Sequence, residues 1–123
     1  MKAAILLIED DRQLANVLER HLQRAGYHIT LVHSGEDALE KLKSQIDIDV
    51  AIIDIDLSLS GGDLDGLDVA RAVYYQSDAI SIMLTAFSYS EYGEQSYALG
   101  AKAYLQKSNP DFIPMLKNTI GPF

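Results

Sequence analysis

Cysteine is missing from this 123-residue chain. Its absence excludes disulfide frameworks, thiol catalysis and cysteine-based zinc sites, and it fits a reducing compartment. Positive charge is scarce: 10 Lys and Arg stand against 18 Asp and Glu, a net charge of −8. Such a surface repels a polyanion at long range, and no basic run or basic amphipathic face offsets it. Direct binding of DNA or RNA is therefore not expected. Long apolar runs are missing too. The opening MKAAILLIEDD has one lysine, the apolar stretch Ala3 to Ile8, and then three acids. That stretch is too short for a signal-peptide core or a membrane span. Internal repeats, low-complexity segments and linkers are also absent. A soluble, cytoplasmic protein that avoids membranes is the expectation.

What is present is the balance of a globular domain, with 48% hydrophobic and 23% charged residues. The length suits one domain over residues 1–123 and is too short for two ordinary ones. A chain of this size buries roughly two-thirds of its unfolded surface, enough to fold without a metal or disulfide.

Short apolar runs alternate with helical periods. Ala3–Ile8 reads as a parallel strand buried on both faces. Leu14, Val17, Leu18, Leu22 and Ala25 follow at helical spacing, and Gly26 ends that helix. Tyr27–Val32 is the second strand. Ser34 opens a short helix carrying Ala38, Leu39 and Leu42, with Ser34 and Asp37 spaced for capping. Asp49–Ile53 is a third strand running into Asp54. After the Gly- and Asp-rich stretch Ser58–Gly66 come a helix over Leu67–Tyr75 and a fourth strand, Ala79–Leu84. A weaker helix over Ser88–Leu99 contains Gly93, which costs about 1 kcal/mol against alanine. Lys102–Leu105 is a fifth strand, and Asp111–Ile120 a last helix with Pro114 near its first turn. Five strand–helix units in series imply an α/β fold, a parallel sheet with helices on both faces. Its ligand site belongs at the carboxyl ends of the strands.

The acids collect at those ends. Strand one ends in Glu9, Asp10 and Asp11; strand three in Asp54, followed by Asp56; strand four in Thr85; strand five shortly before Lys107. In a parallel sheet these ends share one edge. Clustered carboxylates repel one another, and a divalent cation relieves the repulsion. Oxygen ligands without Cys or clustered His point to magnesium or manganese. Lys107 and the Thr85 hydroxyl then suit a phosphoryl group. Taken singly, an acid after a strand is more often only a turn former or helix cap, and Asp11 fits the cap of helix one. His21 falls in the apolar register of helix one, and His28 and His33 show no ligand spacing.

The segments LIEDD, IIDIDL, IMLTA and AYLQKS, in this order and at this spacing, resemble the four signature segments of response regulator receiver domains of two-component systems. The resemblance runs along nearly the whole chain. It implies a flavodoxin-like (βα)5 three-layer sandwich around a five-stranded parallel sheet. It also implies a non-enzymatic switch that takes a phosphoryl group onto Asp54 from a phosphohistidine donor. Asp10 would hold Mg2+ directly and Glu9 mostly through water, joined by Asp54 and the backbone carbonyl of Asp56, with Asp11 as a third acid nearby. Thr85 would bond the phosphoryl oxygen and Lys107 would pair with it. Tyr104 stands where the family carries a switch aromatic, so helix four, strand five and helix five would form the responding surface. The implied partners are a sensor histidine kinase or histidine phosphotransfer protein and an output partner of unknown identity. A homodimer through helices four and five is compatible with this scheme.

Three features depart from the family pattern. Ser58 stands where proline is usual and Gly66 comes about four residues late, so the Ser58–Asp65 loop is long and acidic. It is expected to be mobile and to alter access to Asp54. Ser108 follows Lys107 where proline, with a cis bond, is usual; a cis bond before serine would cost about 2.5–4 kcal/mol, so Lys107 is expected to sit slightly differently. Asp56 puts a carboxylate at the mouth of the site. Tyr89, Tyr92 and Tyr97 load helix four, and Phe112, Met115 and Phe123 the carboxyl end, either as core or as a partner surface. Two rival readings remain beside the receiver. One is a docking module of the same fold that is never phosphorylated. The other is a haloacid-dehalogenase-like phosphatase with Asp54 as nucleophile and Asp56 as general acid, although that motif belongs on a first strand.

Overall fold

The computed structural model describes residues 3–44, 46–86 and 91–121, the side chain of Glu91 excepted. Five strands form one sheet: β1 (Ala4–Ile8), β2 (His28–Val32), β3 (Val50–Asp54), β4 (Ile80–Thr85) and β5 (Ala101–Gln106). Their order is β2-β1-β3-β4-β5 and every pairing is parallel. Four α-helices make the crossovers, α1 (Arg12–Arg24), α2 (Gly35–Lys43), α3 (Gly66–Gln76) and α4 (Glu91–Ala98), and a fifth, α5 (Phe112–Ile120), follows the last strand. This is the flavodoxin-like (βα)5 arrangement expected from the sequence. The Ser88 start expected for the fourth helix lies outside the described residues, as do Tyr89 and Phe123.

Alternation along the central strands builds two cores. Leu6, Ile8, Ala51 and Ile53 point to one face, where they meet Ala38 and Leu42 of α2 and Val69, Ala70 and Val73 of α3. Ile5, Leu7, Val50 and Ile52 point to the other, against Leu18 and Leu22 of α1 and Phe112, Leu116 and Ile120 of α5. Both faces of β1 and β3 are thereby buried, which is why these strands read as unbroken apolar runs. No helix among the described residues is long and apolar enough to cross a membrane.

Local signals work as the sequence suggests. Asp11 caps α1, its Oδ1 accepting from the Gln13 and Leu14 amides at 3.1 and 3.2 Å. Ser34 Oγ accepts from the Asp37 amide at 3.0 Å at the start of α2. Gly66 opens α3 hard against β3; a Cβ there would strike the Asp54 carbonyl, and only glycine fits. Pro114 falls in the first turn of α5, where a missing N–H does no harm.

Candidate functional site

Register explains why the polar residues meet. Ile8 pairs with Ile53, so Glu9 and Asp54, one residue on, emerge side by side from neighbouring strands. Asp54 pairs with Leu84 and Thr85 with Gln106, which brings Thr85 and Lys107 to the same edge. The Lys107 amide closes this edge by donating to the Thr85 carbonyl at 2.7 Å.

Glu9, Asp10, Asp54 and Thr85 are all buried. Lys107 Nζ lies 2.6 Å from Glu9 Oε1 and 3.0 Å from Asp54 Oδ1, so one ammonium bridges two carboxylates. Burial pushes the Asp54 carboxyl up, and the hydrogen bond and charge of Glu9 push it further, to about 8, although Lys107 pulls the other way. Burial alone would lower Lys107, but Glu9 and Asp54 outweigh it and hold the ammonium above the ordinary lysine value. With Asp10 beside them, three acids share one lysine, and the cluster is short of positive charge whenever Asp54 is ionised.

A cation would correct that deficit. Glu9, Asp10 and Asp54 each offer an oxygen, and the three ligand atoms lie within 4.8 Å of one another. An all-oxygen set with two carboxylates from one strand end and one from the next fits a hard divalent ion. A cleft of about 210 Å³ opens over this cluster, bordered by Asp11, Asp56, Leu59 and Ala86 among others.

The remaining sequence expectations divide. Asp11 borders the cleft, but its carboxylate is spent on the α1 cap and it is not one of the three clustered acids. The Asp56 carboxylate is exposed and turned to Ser58, whose side chain and amide hold it below the usual carboxylate range. Its own amide donates to Asp54 Oδ1 at 3.3 Å. The Lys107–Ser108 bond is trans, and Lys107 reaches the acids regardless. Tyr104 is half-buried on β5 against the core shared with α2 and α3, and its hydroxyl is buried. Phe112 is core, whereas Tyr92, Tyr97 and Met115 are exposed, with Tyr74 and Tyr75 of α3 adding aromatic surface that the sequence reading passed over.

Three residues near the site escaped the sequence. The Leu59 amide donates to Asp10 Oδ2 at 2.7 Å. The Glu36 carboxylate accepts from the amides of Asp63 and Leu64. His33 Nδ1 lies 2.9 Å from the Glu9 carbonyl. The long Ser58–Asp65 loop, expected to be mobile, is tied down at two points and holds a 3-10 turn over Ser58–Ser60. Its extra length was the one available signal; contacts made through backbone amides leave no side-chain pattern.

Comparison with known proteins agrees with this geometry. A family model described as the response regulator receiver domain matches residues 5–114. Among curated relatives, the two-component response regulator ARR10 of Arabidopsis thaliana is 34% identical over 115 residues, covering 93% of this chain and 20% of that protein. The transcriptional regulatory protein CpxR of Escherichia coli K12 is 32% identical over 103 residues, covering 84% and 42% respectively. The chain thus spans less than half the length of these relatives. Among solved structures, the chemotaxis response regulator CheY4 of Vibrio cholerae superposes with a TM-score of 0.82 at 26% identity, over 98% of this chain and 99% of that one. The receiver domain of a modulated diguanylate cyclase from Desulfovibrio desulfuricans G20 matches equally well, with a TM-score of 0.82 at 26% identity over 98% and 91%. The chain belongs to the response regulator receiver domains, the phosphorylation-based signalling switches of two-component systems, a signalling family rather than a catalytic one.

Proposed function

We propose that residues 1–123 act as one receiver unit whose phosphoacceptor is Asp54. The observation that carries this reading is the bridge from Lys107 to both Glu9 and Asp54 at the carboxyl edge of the sheet. A buried carboxylate beside a second acid is a poor place for negative charge unless a cation shares it. Glu9, Asp10 and Asp54, with the Asp56 carbonyl, would hold Mg2+, which supplies charge neutralisation to an incoming phosphoryl group. Asp54 attacks phosphorus as its carboxylate, the phosphorus–nitrogen bond to a donor imidazole breaks, and the electron pair stays on the imidazole. Lys107 exchanges its contact with Asp54 for one with the phosphoryl oxygens, and the Thr85 hydroxyl donates to another of them.

Donors are a sensor histidine kinase or a histidine phosphotransfer protein. The response is a population shift: Thr85 moves toward the phosphoryl group, Tyr104 turns inward, and the α4–β5–α5 surface changes for an output partner or a second copy. The acidic surface and the lack of a membrane-spanning helix among the described residues favour a cytoplasmic role without direct contact to nucleic acid.

Intact mass spectrometry after incubation with Mg2+ and a small acyl-phosphate donor tests this. A single phosphoryl adduct is expected on the wild type, lost with EDTA and absent in Asp54→Asn. No adduct together with no Mg2+ binding would favour the docking module, and steady hydrolysis of phosphate monoesters the phosphatase.

A further inference from the structure

The Ser58–Asp65 loop is held from below as well as from above. At its near end the Leu59 amide donates to Asp10 Oδ2 at 2.7 Å. Ser60 folds back, its hydroxyl donating to the Leu57 carbonyl at 2.7 Å and accepting from the Gly62 amide at 3.2 Å. At its far end Glu36, in the first turn of α2, takes the Asp63 and Leu64 amides on a single oxygen, at 2.9 and 3.3 Å. The Glu36 carboxyl is held below its ordinary value first by its own backbone amide, with the Asp63 and Leu64 amides adding to the effect. Gly62 lies so close over Glu36 that a Cβ would collide with the carboxylate. Beyond it Asp65 and Asp68 close a reciprocal cap, and the Gly66 amide returns to the Ile55 carbonyl at 3.0 Å. The loop is a strap between α2 and the acid cluster.

We infer that Glu36 is a positioning residue for the metal site, keeping the Leu59 amide on Asp10, where it competes with a divalent cation for the carboxylate. This rests on the reading of Glu9, Asp10 and Asp54 as that site. An N–H on Asp10 compensates part of the acid repulsion in the cation-free protein, as the cation itself would do. Whatever weakens the strap therefore favours the cation, and by linkage the cation weakens the strap. Glu36 touches none of the clustered acids; it acts only through the loop. The strap also sets Leu59, 76% exposed, at the mouth of the cleft.

Mg2+ affinity by calorimetry, in the wild type, Glu36→Ala and Gly62→Ala, separates the possibilities. Glu36→Ala removes the oxygen that accepts from both loop amides; Gly62→Ala displaces the Glu36 carboxylate, the flexible end of its side chain, from those amides while leaving every charge in place. Both should bind Mg2+ about 2- to 10-fold more tightly, the effect of one net hydrogen bond on an equilibrium. Simple loss of the Glu36 charge predicts the opposite sign. In the wild type, Mg2+ should also reduce the hydrogen-exchange protection of the Leu59, Asp63 and Leu64 amides. Equal or weaker Mg2+ binding by both folded variants overturns the strap and leaves the metal site standing. No Mg2+ binding by the wild type overturns the site and the strap with it.

Discussion

At Asp54, the proposed phosphoacceptor, the charge that the proposed chemistry needs works against stability. The Asp54 carboxyl is raised to about 8 by burial and by Glu9, so without a divalent cation the folded state holds a proton that the unfolded chain has already released. The contribution is fully stabilising below the ordinary carboxylate range and is lost as pH rises through about 8. In EDTA the melting temperature of the wild type should therefore fall between about pH 4 and pH 8 relative to Asp54→Asn. The variant carries a neutral amide throughout and should melt above the wild type at the alkaline end. Parallel pH profiles for the two proteins would show that Lys107 already neutralises Asp54. Lys107 itself carries no such slope in this range, since its acid partners hold it above the ordinary lysine value.

At the scale of elements, the parts legible in the sequence were those that side chains write. Runs such as AAILLI and DVAII mark strands buried on both sides, and the observed strands end within a residue or so of those readings. The convergence of Glu9, Asp54, Thr85 and Lys107 followed from the rule that parallel strands share one carboxyl edge. The strap was illegible for a physical reason. Leu59, Asp63 and Leu64 act through their amides, which every residue but proline has, and Glu36 reads as an ordinary solvated helix acid. Asp11 illustrates the converse, a residue with two plausible uses that only geometry could separate. It caps α1, so Asp11→Ala should cost about 1 kcal/mol of stability by denaturant melting, while weakening Mg2+ binding far less than Asp10→Ala. Comparable losses of Mg2+ affinity in the two variants would return Asp11 to the ligand set.

For the whole molecule, the proposed cation site would link metal binding to the stability of the fold. A ligand bound only by the native state stabilises it by mass action, about 2.7 kcal/mol at a hundredfold excess over Kd. Thermal melts at pH 8 should therefore rise with Mg2+ and not with NaCl at the same ionic strength, and the rise should vanish in Asp10→Ala. An equal rise in NaCl would mean relief of the general net charge of −8 rather than a site. The strand order adds a constraint of another kind. β1 and β3 are hydrogen-bonded neighbours, so the gap between Glu9 and Asp54 is set by the interstrand repeat of roughly 4.8 Å. That backbone gap is a lattice constant of the sheet and cannot be retuned without unpairing β1 from β3. The backbones that carry the two acids are thus fixed at one spacing, and adjustment of metal affinity falls to the side chains and to the chain that hangs over them.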